Sequence, residues 1–123
     1  MPEETLRGCR ILVVEDEYML ADELRTELTD AEAIVIGPVG AVDAACELVH
    51  ADPKIDGAIL DLNLRGEMVY PVADLLVERG VRFLFTTGYD QAVIPFRFAG
   101  IVRCEKPISM HQVIREIGRV VHA

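Results

Sequence analysis

The sequence predicts an α/β domain built on a doubly wound parallel sheet, and three observations carry that expectation. Short continuous runs of β-branched and aliphatic residues alternate along the whole chain with stretches whose apolar residues recur every three or four positions. At 123 residues there is room for one core and no second domain. A hydrophobic content of 51% against 27% charged residues suits a globular α/β protein and argues against disorder. Strands that alternate with helices imply right-handed βαβ crossovers, hence a parallel sheet between helical layers.

The elements follow in order. From Arg10 the run Ile11-Leu12-Val13-Val14 is continuous and apolar, the pattern of a strand covered on both faces. Tyr18 to Ala31 places Leu20, Leu24, Leu28 and Ala31 on one stripe of a first helix. Ala33-Ile34-Val35-Ile36 repeats the strand pattern and ends at Gly37-Pro38, after which Val42, Ala45, Cys46 and Val49 mark a second helix up to Asp52-Pro53. A third strand lies within Asp56 to Leu62, followed by the polar loop Asn63-Leu64-Arg65-Gly66-Glu67. The third helix opens near Pro71, carries Val72, Leu75 and Leu76, and closes at Arg79-Gly80. Val81 to Thr86 is the fourth strand, with Thr87 at its end, Ile101-Val102-Arg103 the fifth, and Ser109 to Val121 a last helix capped by Ser109. Lys106 lies only 19 positions after Thr87 (106 minus 87), and Pro95 interrupts the interval, so a fourth helix there is expected to be short, distorted or partly loop. The count is five strands and five helices, with residues 8–123 as the domain and 1–7 as an N-terminal extension.

Charge and cysteine content narrow the function classes. Twelve Lys and Arg against 21 Asp and Glu leave a formal charge of −9, which repels a phosphate backbone, so direct nucleic-acid binding is disfavoured. Cys9, Cys46 and Cys104 are odd in number and lack paired spacing, which suggests neither a disulfide framework nor a zinc site and favours reduced, partly buried thiols. No run approaches the roughly 18 apolar residues of a membrane span, and the acidic start Met1-Pro2-Glu3-Glu4-Thr5 opens no signal sequence. The expected location is cytoplasmic, with no membrane contact. His50, His111 and His122 sit in or beside helices without metal spacing and read as solvated surface residues.

Residues with chemical potential gather at the predicted carboxyl ends of the strands, the edge where open α/β sheets bind ligands. Glu15-Asp16 follows the first strand, Asp61 the third, Thr87 the fourth and Lys106 the fifth, although Glu15 and Lys106 are 91 positions apart (106 minus 15). Each has a plainer reading alone: Asp16 or Glu17 as a helix cap, Asp61 as a turn former, Thr86-Thr87-Gly88 as a strand end, Lys106-Pro107 as a commonplace pair. Pro107 biases Lys106 toward an extended conformation and permits a cis bond that would aim it at the edge. Together the three acids offer hard oxygen ligands suited to Mg²⁺, with the backbone carbonyl of Asn63 as a further ligand. Metal, acceptor carboxylate, hydroxyl and lysine are the ingredients of phosphoryl transfer onto Asp61.

The runs Ile11-Leu12-Val13-Val14-Glu15-Asp16-Glu17 and Ala58-Ile59-Leu60-Asp61-Leu62-Asn63-Leu64, with Thr87-Gly88 and Lys106-Pro107, resemble the receiver domain of two-component response regulators over nearly the whole chain, from about Arg10 to Val121. The resemblance implies a flavodoxin-like strand order 2-1-3-4-5. It implies that Asp61 accepts a phosphoryl group from a sensor histidine kinase or phosphotransfer protein. It further implies that Glu15, Asp16, Asp61 and the Asn63 carbonyl hold Mg²⁺, that Thr87 and Lys106 contact the phosphoryl oxygens, and that the chain signals through a downstream protein partner. Such a protein phosphorylates and dephosphorylates itself and is no conventional turnover enzyme. A homodimer is compatible with this reading. Phe83-Leu84-Phe85-Thr86-Thr87-Gly88-Tyr89 also resembles a single-domain subgroup with a Phe-x-Phe-Ala-Thr-Gly-Tyr signature, with Thr86 replacing the Ala. Tyr89 and Asn63 flank the expected path of a hydrolytic water and are expected to tune the phosphoryl lifetime. Receivers generally carry an aromatic switch residue three positions before the lysine, where this chain has Arg103. Phe96 and Phe98, beside Pro95, are either a partner patch or buried under a distorted loop. The rival readings are a pseudo-receiver that binds partners without phosphorylation, a haloacid dehalogenase-type phosphatase, which would need an acid at position 63, and a flavodoxin-like cofactor binder, which would need a phosphate loop where Glu15-Asp16-Glu17 stands.

Overall fold

A computed structural model describes residues 5–88 and 94–123. Its elements in chain order are β1 (Arg10–Val14), α1 (Tyr18–Asp30), β2 (Ile34–Val39), α2 (Val42–Ala51), β3 (Gly57–Asp61), β4 (Asn63–Leu64), β5 (Glu67–Met68), α3 (Tyr70–Glu78), β6 (Arg82–Thr87), a 3₁₀ turn (Phe96–Phe98), β7 (Arg103–Glu105) and α4 (Met110–Val121). The five long-range strands form one parallel sheet in the order β2-β1-β3-β6-β7. This is the flavodoxin-like order 2-1-3-4-5 when the small hairpin β4–β5 is set aside.

Alternation along the strands divides the core into two layers. Leu12, Val14, Ala58, Leu60, Phe83 and Phe85 face α2 and α3, where Val42, Ala45, Val49, Val72 and Leu76 meet them. Ile11, Val13, Ile59, Leu84 and Cys104 face the other way, onto Leu24, Leu28, Val113 and Ile117 of α1 and α4. Coverage on both faces explains why the central strands β1 and β3 read as unbroken apolar runs. Ser109 caps α4 by accepting a hydrogen bond from the Gln112 amide at 3.2 Å.

Several boundaries differ from the sequence expectation. β2 does not stop at Gly37-Pro38 but continues to Val39, because an extra residue is absorbed there: Leu12 pairs with Ile36, and Val14, two residues on, pairs with Val39. Gly37 makes this possible at φ +91°, where an added Cβ would lie 3.0 Å from the Val13 carbonyl oxygen and from the Val39 nitrogen. The fifth sheet strand is Arg103–Glu105, two residues later than expected. The Ile101 amide is already taken by the Phe98 carbonyl at the end of the 3₁₀ turn, and the ladder runs from Phe85↔Arg103 to Thr87↔Glu105. The polar loop after the third strand is a two-stranded hairpin, with Asn63 paired to Met68 and Leu64 to Glu67. Among the described residues there are four α-helices and not five; the expected fourth helix is represented by the 3₁₀ turn, while Tyr89 and its part in that segment lie outside the described residues. Phe98 in that turn is 1% exposed, stacked 5.5 Å from Tyr70 and edge-on to Phe83 and Phe85. Phe96 beside it is 92% exposed, so the two phenylalanines have opposite fates. No described helix is long and apolar enough to cross a membrane.

Candidate functional site

Parallel pairing carries the chemistry to one edge. Val14 pairs with Leu60, so Glu15 and Asp61 leave neighbouring strands side by side; Asp61 pairs with Thr86, and Thr87 with Glu105, one residue before Lys106. The backbone locks this edge: the Glu15 amide donates to the Val39 carbonyl at 2.9 Å, and the Lys106 amide to the Thr87 carbonyl at 2.7 Å. The bulged extension of β2 is thus what holds the first acid, a connection that the Gly37-Pro38 stop signal concealed.

Glu15, Asp16 and Asp61 bring carboxylate oxygens within 4.8 Å of one another, the one such metal-capable group among the described residues. Glu15 and Asp61 are buried and Asp16 half-buried. Lys106 lies over the pair, its Nζ 3.1 Å from Asp61 Oδ2 and 3.3 Å from Glu15 Oε1, and the Lys106-Pro107 bond is cis. Backbone amides complete the shell, Asn63 N donating to Asp61 Oδ1 at 3.3 Å and Glu17 N to Glu15 Oε2 at 3.0 Å.

Electrostatics follow from this crowding. Burial, reinforced by the charge of Asp61, pushes the Glu15 carboxyl up to about 7. Burial also raises Asp61, against the opposing pull of Lys106. Burial alone would lower the Lys106 ammonium, but Asp61 and Glu15 together hold it above its ordinary value. One ammonium is therefore shared between two buried carboxylates.

The remaining predicted residues fall close by. Thr87 is 1% exposed, and neither its Oγ1 nor that of Thr86 has a hydrogen-bond partner among the described residues. The Asn63 side chain is turned into the hairpin, its Oδ1 accepting from the Gly66 amide at 2.6 Å. Arg103 is exposed and lines a polar groove of about 660 Å³ with Thr87, Glu105 and Gln112. Arg65, which sequence reasoning passed over as a loop residue, reaches back to Asp16, Nε to Oδ2 at 3.3 Å. The only local signal there was Gly66, a turn residue behind Asp61; that Arg65 also takes a positive φ, 54°, emerges from the hairpin.

No family model and no curated protein matches the chain. Solved structures do. A response regulator receiver protein from Sinorhizobium medicae WSM419 is 24% identical, covering 96% of this chain and 98% of its own, with a TM-score of 0.79. SdrG from Sphingomonas melonis Fr1 is 33% identical over 94% of this chain and 98% of its own, with a TM-score of 0.81. The chain belongs to the response regulator receiver family. The BeF3-activated conformation of SdrG, recorded from Pseudomonas melonis Fr1, matches at 34% identity over 91% of this receiver and 95% of its own chain, with a TM-score of 0.75. As a receiver spanning nearly the full length of these single-domain neighbours, the chain carries its acids, hydroxyl and lysine on the sheet edge described above.

Proposed function

We propose that this receiver takes a phosphoryl group from a phosphohistidine of a sensor kinase or phosphotransfer protein onto Asp61, and that it signals or relays by contact with another protein. The observation that carries the reading is the joint placement of Asp61: its Oδ2 is 3.1 Å from Lys106 Nζ, and it lies inside a carboxylate group within 4.8 Å. In the transfer an Asp61 carboxylate oxygen attacks phosphorus in line with the phosphorus–nitrogen bond of the donor. The new phosphorus–oxygen bond forms as the old bond breaks, and the bonding pair stays on the imidazole nitrogen, which leaves as neutral imidazole because its other nitrogen carries a proton. Lys106 pairs with a phosphoryl oxygen, and the unpartnered Thr87 hydroxyl donates to another.

The donor set fits a magnesium ion. Three hard carboxylates converge, and burial together with the neighbouring Asp61 charge pushes one of them up to about 7, a penalty that a divalent cation among them would offset. Glu15, Asp16, Asp61 and the Asn63 carbonyl would hold it, and when bound it would neutralise charge developing on the phosphoryl oxygens. The phosphatase alternative lacks support at position 63, where the residue is Asn63 with its amide committed to Asp61 and its side-chain oxygen to Gly66.

Incubation with a radiolabelled histidine kinase and Mg²⁺ tests the proposal. The wild type should take up acid-stable, base-labile label, and Asp61→Asn should take up none. Undiminished label on Asp61→Asn refutes Asp61, and no label on the wild type from any kinase or small phosphodonor favours a pseudo-receiver.

A further inference from the structure

We propose that Arg65 is a tethered counter-cation that holds Asp16 until a divalent cation takes its place, and so sets how tightly the acidic centre binds that cation. The inference rests on the reading of Glu15, Asp16 and Asp61 as a cation site. The charges there are unequally served: Lys106 Nζ is shared by Asp61 and Glu15, whereas the only charged partner of Asp16 among the described residues is Arg65. Arg65 Nε is 3.3 Å from Asp16 Oδ2, and Arg65 Nη2 is 3.5 Å from the Asp16 carbonyl oxygen. The two residues are 49 positions apart, so the contact is tertiary. The Asp16 side chain is 15% exposed and that of Arg65 81%, which describes a solvated arm reaching inward over the mouth of the site.

The backbone holds that arm in place. Arg65 and Gly66 are the two loop residues of the β4–β5 hairpin, at φ 54° and 94°. Asn, Asp and Gly suit the first of these positions, and arginine is a poor choice on local grounds. The hairpin is pinned by the Gly66 amide on Asn63 Oδ1 and by the Val69 amide on the Leu62 carbonyl at 3.0 Å. A long cation therefore stands on a firm base where turn chemistry asks for a short polar residue, and its guanidinium lies on the acid that, among the described residues, has no other cation. A divalent ion reaching Asp16 meets both an occupied oxygen and a like charge, and the arm must give way. Because the guanidinium side of the pair is largely solvated, the competition is modest.

Calorimetric titration of Mg²⁺ into the full chain tests this with wild type, Arg65→Asn and Arg25→Gln. Arg25 lines the same cavity as Glu15 and Asp16 but, among the described residues, its ion pair is with Asp22 on α1 and not with Asp16, so it controls for the loss of a nearby positive charge. Arg65→Asn should bind Mg²⁺ roughly two- to fivefold more tightly than wild type at low ionic strength. The gain should shrink in high salt and be absent in Arg25→Gln. Its melting temperature without metal should be equal to or above that of wild type, since Asn accepts the left-handed position. An unchanged or weaker affinity in a folded Arg65→Asn, or an equal gain in Arg25→Gln, overturns the role of Arg65. Absence of Mg²⁺ binding in the wild type instead overturns the cation site on which the inference depends.

Discussion

Replacing Glu15 by Gln removes the most strongly perturbed carboxylate and should stabilise the metal-free protein at neutral pH. The Glu15 carboxyl rises from 4.5 to about 7 on folding. A group whose folded value is raised binds its proton more tightly in the native state, so stability falls as pH climbs through that window. At about 1.4 kcal/mol for each tenfold change in proton affinity, the wild type should lose about 3 kcal/mol between pH 4.5 and 7 that Glu15→Gln does not lose. Glu15 is only 3% exposed, so solvent screening gives little relief. For a domain of this length that is a difference in melting temperature of roughly 10 °C at pH 8, measured in chelator by circular dichroism or calorimetry. Saturating Mg²⁺ should close most of the gap by supplying the missing charge to the wild type. Parallel stability curves for the two proteins from pH 4.5 to 8 would refute the reasoning, because they would mean that the buried acid carries no ionisation penalty.

Three further outcomes are expected. Phe98→Ala should cost about 3 to 5 kcal/mol in urea unfolding, because Phe98 is 1% exposed and packs on Tyr70, Phe83 and Phe85, whereas Phe96→Ala, at 92% exposure, should leave the midpoint nearly unchanged. Ser109→Ala removes the side-chain acceptor of the Gln112 amide and should lower stability by about 1 kcal/mol in the same assay. Gly37→Ala combines a φ of +91° with contacts of 3.0 Å to backbone atoms of Val13 and Val39; it should lose more than about 1 kcal/mol and weaken Mg²⁺ binding, since the bulge holds the Glu15 amide through Val39.

Much of the fold was legible because apolar periodicity and strand burial are local. Ile11 to Val14 and Ala58 to Leu60 are continuous runs because helices cover both faces, and Leu24, Leu28, Val113 and Ile117 repeat at the spacing of one helical stripe. The grouping of the candidate site was legible for a topological reason: in a parallel sheet every strand delivers its last residue to the same edge, so Glu15, Asp61, Thr87 and Lys106 could be placed together without knowing a single contact. What escaped depends on pairing across the chain. Ile101-Val102 looks more like a strand than Arg103-Cys104-Glu105, yet the ladder with Phe85, Thr86 and Thr87 selects the latter. The Gly37-Pro38 pair ordinarily stops a strand, and only the register of β1 shows that the strand resumes. The inward reach of Arg65 depends on a hairpin turn whose two-residue strands carry almost no periodic signal.

The outer strands of the sheet shape the kinds of contact the molecule can make. β7 is three residues long and places Arg103 and Glu105, both exposed, along its length, while β2 on the opposite margin ends through Pro38, which has no amide hydrogen to offer. The β7 row is short and charged, and the longer, mainly apolar row of β2 is broken at Pro38, so neither margin is an unbroken template for an added strand. The side chains of the helices and loops that border the acidic edge therefore offer a partner more to read than the sheet margins do.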